Sequence, residues 1–136
     1  MFDKFRLVFE QEFEKILMTK YENGLIHYFI KPNSHLTFDD ITSITEFSDK
    51  KGFNGKYLNL YEFGENSDAN NDVRSWAAKD SGNHHTVADA FVINSLAQKM
   101  IADFYLKFHK PERPTKVFNN REKAVKWLLS FQDQVV

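Results

Sequence analysis

The chain has 136 residues, 14 of them Phe, no Cys, and a formal net charge of −1. That is the size of one domain, residues 1–136, with enough apolar mass for a core that needs no disulfide. The missing Cys excludes disulfides, thiol catalysis and Cys-type zinc sites, and no apolar run reaches the ~20 residues of a membrane helix.

The first dozen residues allow two readings. Phe2, Phe5, Phe9 and Phe13 fit a helical stripe; Phe5, Leu7 and Phe9 fit an edge strand. Either way, residues 1–12 are expected to dock on the body or on a partner. Charges run through "MFDKFRLVFEQEF", which argues against a signal peptide. A soluble, cytoplasmic chain is the expectation.

Residues 14–20 read as a strand. Asn23-Gly24 is a hairpin signal, and residues 25–31 are the return strand, stopped by Pro32 and Asn33. Thr37 opens a helix, with Asp39 and Asp40 in the first turn where the helix dipole favours negative charge. Phe38, Ile41, Ile44 and Phe47 form its apolar stripe, and Gly52 stands where a helix-ending glycine belongs. Residues 56–63 are the third strand. The polar loop 64–72 follows, then a short helix from Asp72 with Val73, Trp76 and Ala77 inward.

Residues 86–95 are continuously apolar, as in a strand covered on both faces. Asp89 is the exception within it. Ser95 and Gln98 make an S-x-x-Q capping pattern for a helix over 96–109, with Leu96, Met100, Ile101, Phe104, Tyr105 and Phe108 along one side. "KPERP" cannot continue a helix. "TKVF" is the last strand, and Asn119 caps a final helix with Ala124, Val125, Leu128, Leu129 and Phe131 inward. The order is β-β-α-β-α-β-α-β-α: an α/β sandwich with a mainly parallel sheet, an N-terminal hairpin and helices packed on it.

The stretch "AFVINSLAQKMIADFYLKFHKPERPTKVFNNREKAVKWL" resembles the C-terminal half of small uncharacterised bacterial proteins of the STAS/SEC14-like, or SpoIIAA-like, family. The hairpin "YENGLIHYFIKPN" and the "NDVRSWAAKD" helix fit the same pattern more loosely. The resemblance implies a STAS-type sandwich and no particular activity. STAS domains of the anti-sigma antagonist type carry an Asp-Ser-Ser/Thr-Gly-like signature where the third strand meets the second helix, with a serine that a partner kinase phosphorylates. Here that junction reads "YLNLYEFGENSDANNDVRSW" and lacks the signature. Ser67 is the hydroxyl in the loop proper, so a phosphoswitch would fall there, among Glu65, Asp68 and Asp72, whose charges disfavour it.

Few residues suggest chemistry. His84-His85 beside Asp80 is the sharpest metal candidate, but adjacent side chains point apart and no H-x-x-x-H spacing exists. His27, His35 and His109 are scattered. No phosphate loop is present, and Ser81 and Ser95 lack a nucleophile elbow. The expectation is no enzyme, no cofactor and no metal. A pI near 6.5 argues against nucleic acid.

Charge is unevenly spread. Residues 99–126 hold eight bases and three acids, a local +5 that leaves −6 for the rest. Phe104, Tyr105 and Phe108 stand beside Lys107, Lys110, Arg113 and Lys116. Aromatics next to bases suit an anionic membrane surface or a helix that closes over an apolar ligand. Two functions are therefore expected to compete. One is a non-catalytic STAS-like interaction or regulatory module, with a protein partner or itself as a homodimer. The other is a hydrophobic small-molecule or lipid binder, with helix 96–109 as a movable lid.

Overall fold

A computed structural model describes residues 5–53, 55–79 and 85–135. In chain order the elements are β1 (Leu7–Glu12), β2 (Ile16–Tyr21), β3 (Leu25–Ile30), β4 (His35–Leu36) and α1 (Phe38–Lys50). Next come β5 (Tyr57–Phe63), β6 (Asp68–Ala69), α2 (Asn71–Ala78) and β7 (Thr86–Val92). The chain ends with α3 (Leu96–Phe104) and its π-helical extension Tyr105–His109, β8 (Thr115–Phe118), α4 (Arg121–Leu129) and a 3-10 turn, Gln132–Gln134.

Six strands form one sheet in the order β1-β2-β3-β5-β7-β8. The first three pair antiparallel, and β3, β5, β7 and β8 run parallel. The two-residue strands β4 and β6 pair separately. Each parallel step moves the same way across the sheet through a helix. Crossovers of one hand that never reverse lay their helices on one face. Residues of α1, α2 and α3 accordingly meet over Tyr61 and Phe91, while α4 packs on the opposite face over Leu60 and Ala90.

Alternation along the strands explains both layers. On β5, Leu58 and Leu60 point to α4 and are fully buried with Ala124, Val125 and Leu128. Burial of a large aliphatic side chain contributes about 2 kcal/mol. The intervening Asn59, Tyr61 and Phe63 face the three-helix side. Asn59 and Tyr61 sit beside Asp89 and Phe91 of β7 in register.

The local signals mostly act as their chemistry dictates. Gly24 ends the β2–β3 turn at φ 88, and Gly52 follows α1 at φ 75; both are left-handed positions that favour glycine. The Asp40 carboxylate accepts from the Thr37 backbone N–H at 2.8 Å and from Lys15 at 3.0 Å.

Several expectations are corrected. Of the two readings of the N-terminal segment, the described residues take the strand: β1 is an edge strand paired with β2, with a bulge between Leu7 and Phe9. Phe9 and Phe13 meet Phe47 edge-to-face within the chain, and Phe5 meets Tyr21 the same way; Phe2 lies outside the described residues. The cap of α2 is Asn70, two residues before Asp72, and the cap of α4 is Asn120 rather than Asn119. In each case the asparagine whose side-chain oxygen reaches the third following N–H wins. Residues 105–109 widen into a π-helix that Lys110 ends in left-handed geometry at φ 50.

Candidate functional site

The helix over 96–109 is apolar on two sides, which a single-stripe reading of its sequence merges. Ile101, Ala102 and Tyr105 face the sheet. Leu96, Met100, Phe104 and Phe108 form an outer row at four-residue spacing and are between 45% and 75% exposed. Phe104 and Phe108 touch at 4.5 Å, with the Lys107 ammonium 5.5 Å from the Phe108 ring. Lys107 and Lys110 are exposed.

Beneath α3 lies a cavity of about 110 Å³, with Tyr61, Phe63 and Phe91 of the sheet as floor and Trp76, Ile101 and Tyr105 among its walls. A second space of about 290 Å³ continues under α1, sharing Leu36, Ile41, Tyr61 and Trp76 with the first. Lining of both is predominantly apolar. The larger space is close to the lower end of ordinary small-molecule sites, and the one beneath α3 is smaller than that.

One polar seam crosses this floor. Asp89, 1% exposed, meets Arg113, 8% exposed, through a single oxygen: Oδ2 accepts from Nε at 2.8 Å and from Nη2 at 2.6 Å. Arg113 also donates to the Ala77 carbonyl at the end of α2. Among the described residues, hydrogen-bond partners are lacking for Asp89 Oδ1, Arg113 Nη1 and the Tyr105 hydroxyl. Asp89 and Tyr105 both line the cavity.

Burial pushes the Asp89 carboxyl up to about 6, against the pull of Arg113. Burial also works against the guanidinium, but Asp89 holds Arg113 above its ordinary value. Burial and the nearby Asp89 charge raise the Tyr105 phenol well above its usual range. The three groups therefore share one field.

The loop after β5 closes one end of the cavity. Gln98 donates from one side-chain nitrogen to the carbonyls of Gly64 and Ser67, both at 2.9 Å, and its oxygen accepts from the Asn94 N–H. Ser95 takes its half of the predicted cap, but Gln98 ties the loop to α3 instead of returning to Ser95. Ser67, where a phosphoswitch would fall, is fully buried and donates its hydroxyl to the Gly64 carbonyl at 2.6 Å. A kinase reaches it only if this loop opens.

The six residues expected on one ligand or membrane surface thus divide. Phe104, Phe108, Lys107 and Lys110 stand outside. Tyr105 is turned into the cavity, and Arg113 is drawn into the core by Asp89. Asp89 was the audible signal: an acid inside an apolar strand needs a cation, and "PERP" supplies one. Of the metal candidate that the sequence argues against, His84 and Asp80 lie outside the described residues, as does Ser81, and His85 shares a hydrogen bond with the Gly55 carbonyl. Among the described residues no three His, Asp or Glu side chains gather as a metal site, and no helix is long and apolar enough to cross a membrane.

On the other face of the sheet, Glu62 accepts from both Arg121 nitrogens at 2.8 and 3.0 Å and pairs with His27 at 2.9 Å. Burial opposes this carboxylate's charge, but His27 and Arg121 bring it down to about 2. This cluster anchors α4 to β5.

A mostly parallel sheet with an antiparallel N-terminal hairpin and helices on both faces defines an α/β domain. Residues 19–132 match the family described as a domain of unknown function, DUF7793, and the chain belongs to it. No curated protein and no solved structure matches the chain.

Proposed function

We propose that the chain is a non-catalytic, STAS-like binding module that takes an apolar small molecule or lipid-derived chain beneath α3 and works at an anionic membrane surface. The observation that carries this reading is the two-sided apolarity of α3. Its inner side roofs the cavity, and its outer row, Leu96, Met100, Phe104 and Phe108, shows a second apolar surface. A helix of this kind acts as a lid that finds an apolar medium on either side.

Charge supports the membrane as that medium. Lys107 and Lys110 extend beyond the outer row, and each base near an anionic surface adds about 1 kcal/mol of attraction. The row is also a convex ridge, which a fluid surface accommodates without a matching groove. The STAS likeness rests on the C-terminal sequence pattern, and the non-catalytic reading on the lack of a phosphate loop or nucleophile elbow in the sequence.

The test is co-sedimentation with anionic and neutral vesicles at low salt, together with mass spectrometry of a solvent extract of the pure protein. The reading expects retention by anionic vesicles, loss of retention in the Lys107→Glu/Lys110→Glu variant, and an apolar compound in the extract. No retention by either vesicle type and an empty extract would contradict it.

A second reading gives the interface to a cytoplasmic protein partner or to a second copy of the chain. The edge strand β1, with Leu7 and Val8 exposed, favours it, because an unpaired edge offers backbone to another strand. Scattering that shows a dimer growing with concentration, unaffected by Phe104→Ser/Phe108→Ser, would support this second reading over the first.

A further inference from the structure

We infer that the cavity beneath α3 selects a neutral ligand with a small ring-sized apolar body and one hydroxyl, the hydroxyl lying between Asp89 and Tyr105. This rests on the reading that the cavity holds a ligand and names the ligand's chemistry.

Size comes first. An apolar cavity of about 150 Å³ accepts benzene. The 110 Å³ beneath α3 is near that scale, and it shares lining residues with the larger space under α1. Its walls are flat as well as apolar: Tyr61 and Phe91 lie stacked at 5.4 Å, and Phe91 meets Tyr105 edge-on at 5.6 Å. Such walls suit a ring.

The polar seam decides the rest. Asp89 Oδ1 needs a donor; Arg113 Nη1 offers a hydrogen and the Tyr105 hydroxyl can donate one. All three belong to side chains more than nine-tenths buried. A hydroxyl is the smallest group that donates and accepts at once, so it answers the carboxylate oxygen while accepting from Tyr105. A carboxylate ligand has no proton to give and meets the Asp89 charge. An ammonium ligand meets the guanidinium. The Asp89–Arg113 pair is neutral as a unit, and a neutral partner leaves it so.

The experiment titrates the purified chain with phenol, benzene and benzoate, three probes with one ring and different ends. The readout is the two-dimensional amide NMR spectrum, including the indole N–H of Trp76, which lines both spaces. Phenol should bind at least ten-fold more tightly than benzene, and benzoate more weakly than either. Tyr105→Phe should cut the phenol affinity about ten-fold and leave that of benzene within two-fold. Asp89→Asn should do the same if it folds; Tyr105→Phe carries the test if it does not. Equal binding of phenol and benzene, or an unchanged ratio in Tyr105→Phe, would overturn the hydroxyl selection and leave the cavity reading standing. No binding by any probe would overturn both.

Discussion

Asp89 and Arg113 meet inside the core through one carboxylate oxygen, two guanidinium nitrogens converging on Oδ2 at 2.8 and 2.6 Å. The pair joins β7 to the turn before β8, and Arg113 reaches on to the end of α2. Three elements around the cavity are thereby held by one buried charge contact.

Removing one partner leaves the other charge uncompensated. Arg113→Met is expected to lose about 3–5 kcal/mol of unfolding free energy in urea titrations. The double variant Asp89→Leu/Arg113→Met should recover much of that loss, because no bare charge remains. Single and double variants of equal stability would show that the pair is not the anchor described.

Two carboxyls give opposite pH dependences. Glu62 is held at about 2, below its ordinary 4.5, so its contribution is fully present above pH 4.5 and disappears as pH falls through about 2. Glu62→Gln should flatten this acid limb, worth on the order of 2 kcal/mol. Asp89 is raised to about 6 from 3.8, so its contribution is present below pH 3.8 and lost as pH rises through about 6. Denaturation midpoints from pH 2 to 8 should therefore peak between the two limbs. A monotonic rise to pH 8 would contradict the Asp89 assignment.

Gly64 has no room for a side chain. A Cβ there would stand 2.7 Å from the Ile30 carbonyl oxygen and 2.8 Å from the Pro32 nitrogen, both backbone atoms. Gly64→Ala should destabilise the domain by about 2 kcal/mol and loosen the loop that Gln98 clamps. Amide exchange at residues 64–67 reads the loosening directly.

The outer row of α3 should be separable from the fold. Phe104→Ser/Phe108→Ser removes two half-exposed rings and should change stability by no more than about 0.5 kcal/mol per site, while Val125→Ala, at a fully buried site, costs more than 1 kcal/mol. A large loss of stability in the double variant would show that Phe104 and Phe108 are structural.

Much of the fold was legible because its signals are local. The turn at Asn23-Gly24, the breaks at Pro111 and Pro114 and the apolar run of β7 each settle an element from a few residues. "TKVF" forms the strand the sequence suggests, Thr115–Phe118. The first dozen residues were not legible, since Phe5, Phe9 and Phe13 satisfy both periods until pairing with β2 chooses one. The site was half legible. Aromatics and bases near residue 105 stood out, but their division into inner and outer faces depends on where the sheet lies. Arg113 reads as a surface base among bases, and only long-range contact with Asp89, 24 residues earlier, draws it inward. Gln98 reads as a cap because its second task, binding the loop 31 to 34 residues back, leaves no mark nearby.

The space beneath α3 is the central claim, and a crystal structure determined under xenon pressure tests it most directly. The account predicts a xenon atom against Tyr61, Phe91 and Ile101, with α3 in place above it. An interior without xenon, with Trp76 and Tyr105 packed across the space, would contradict it.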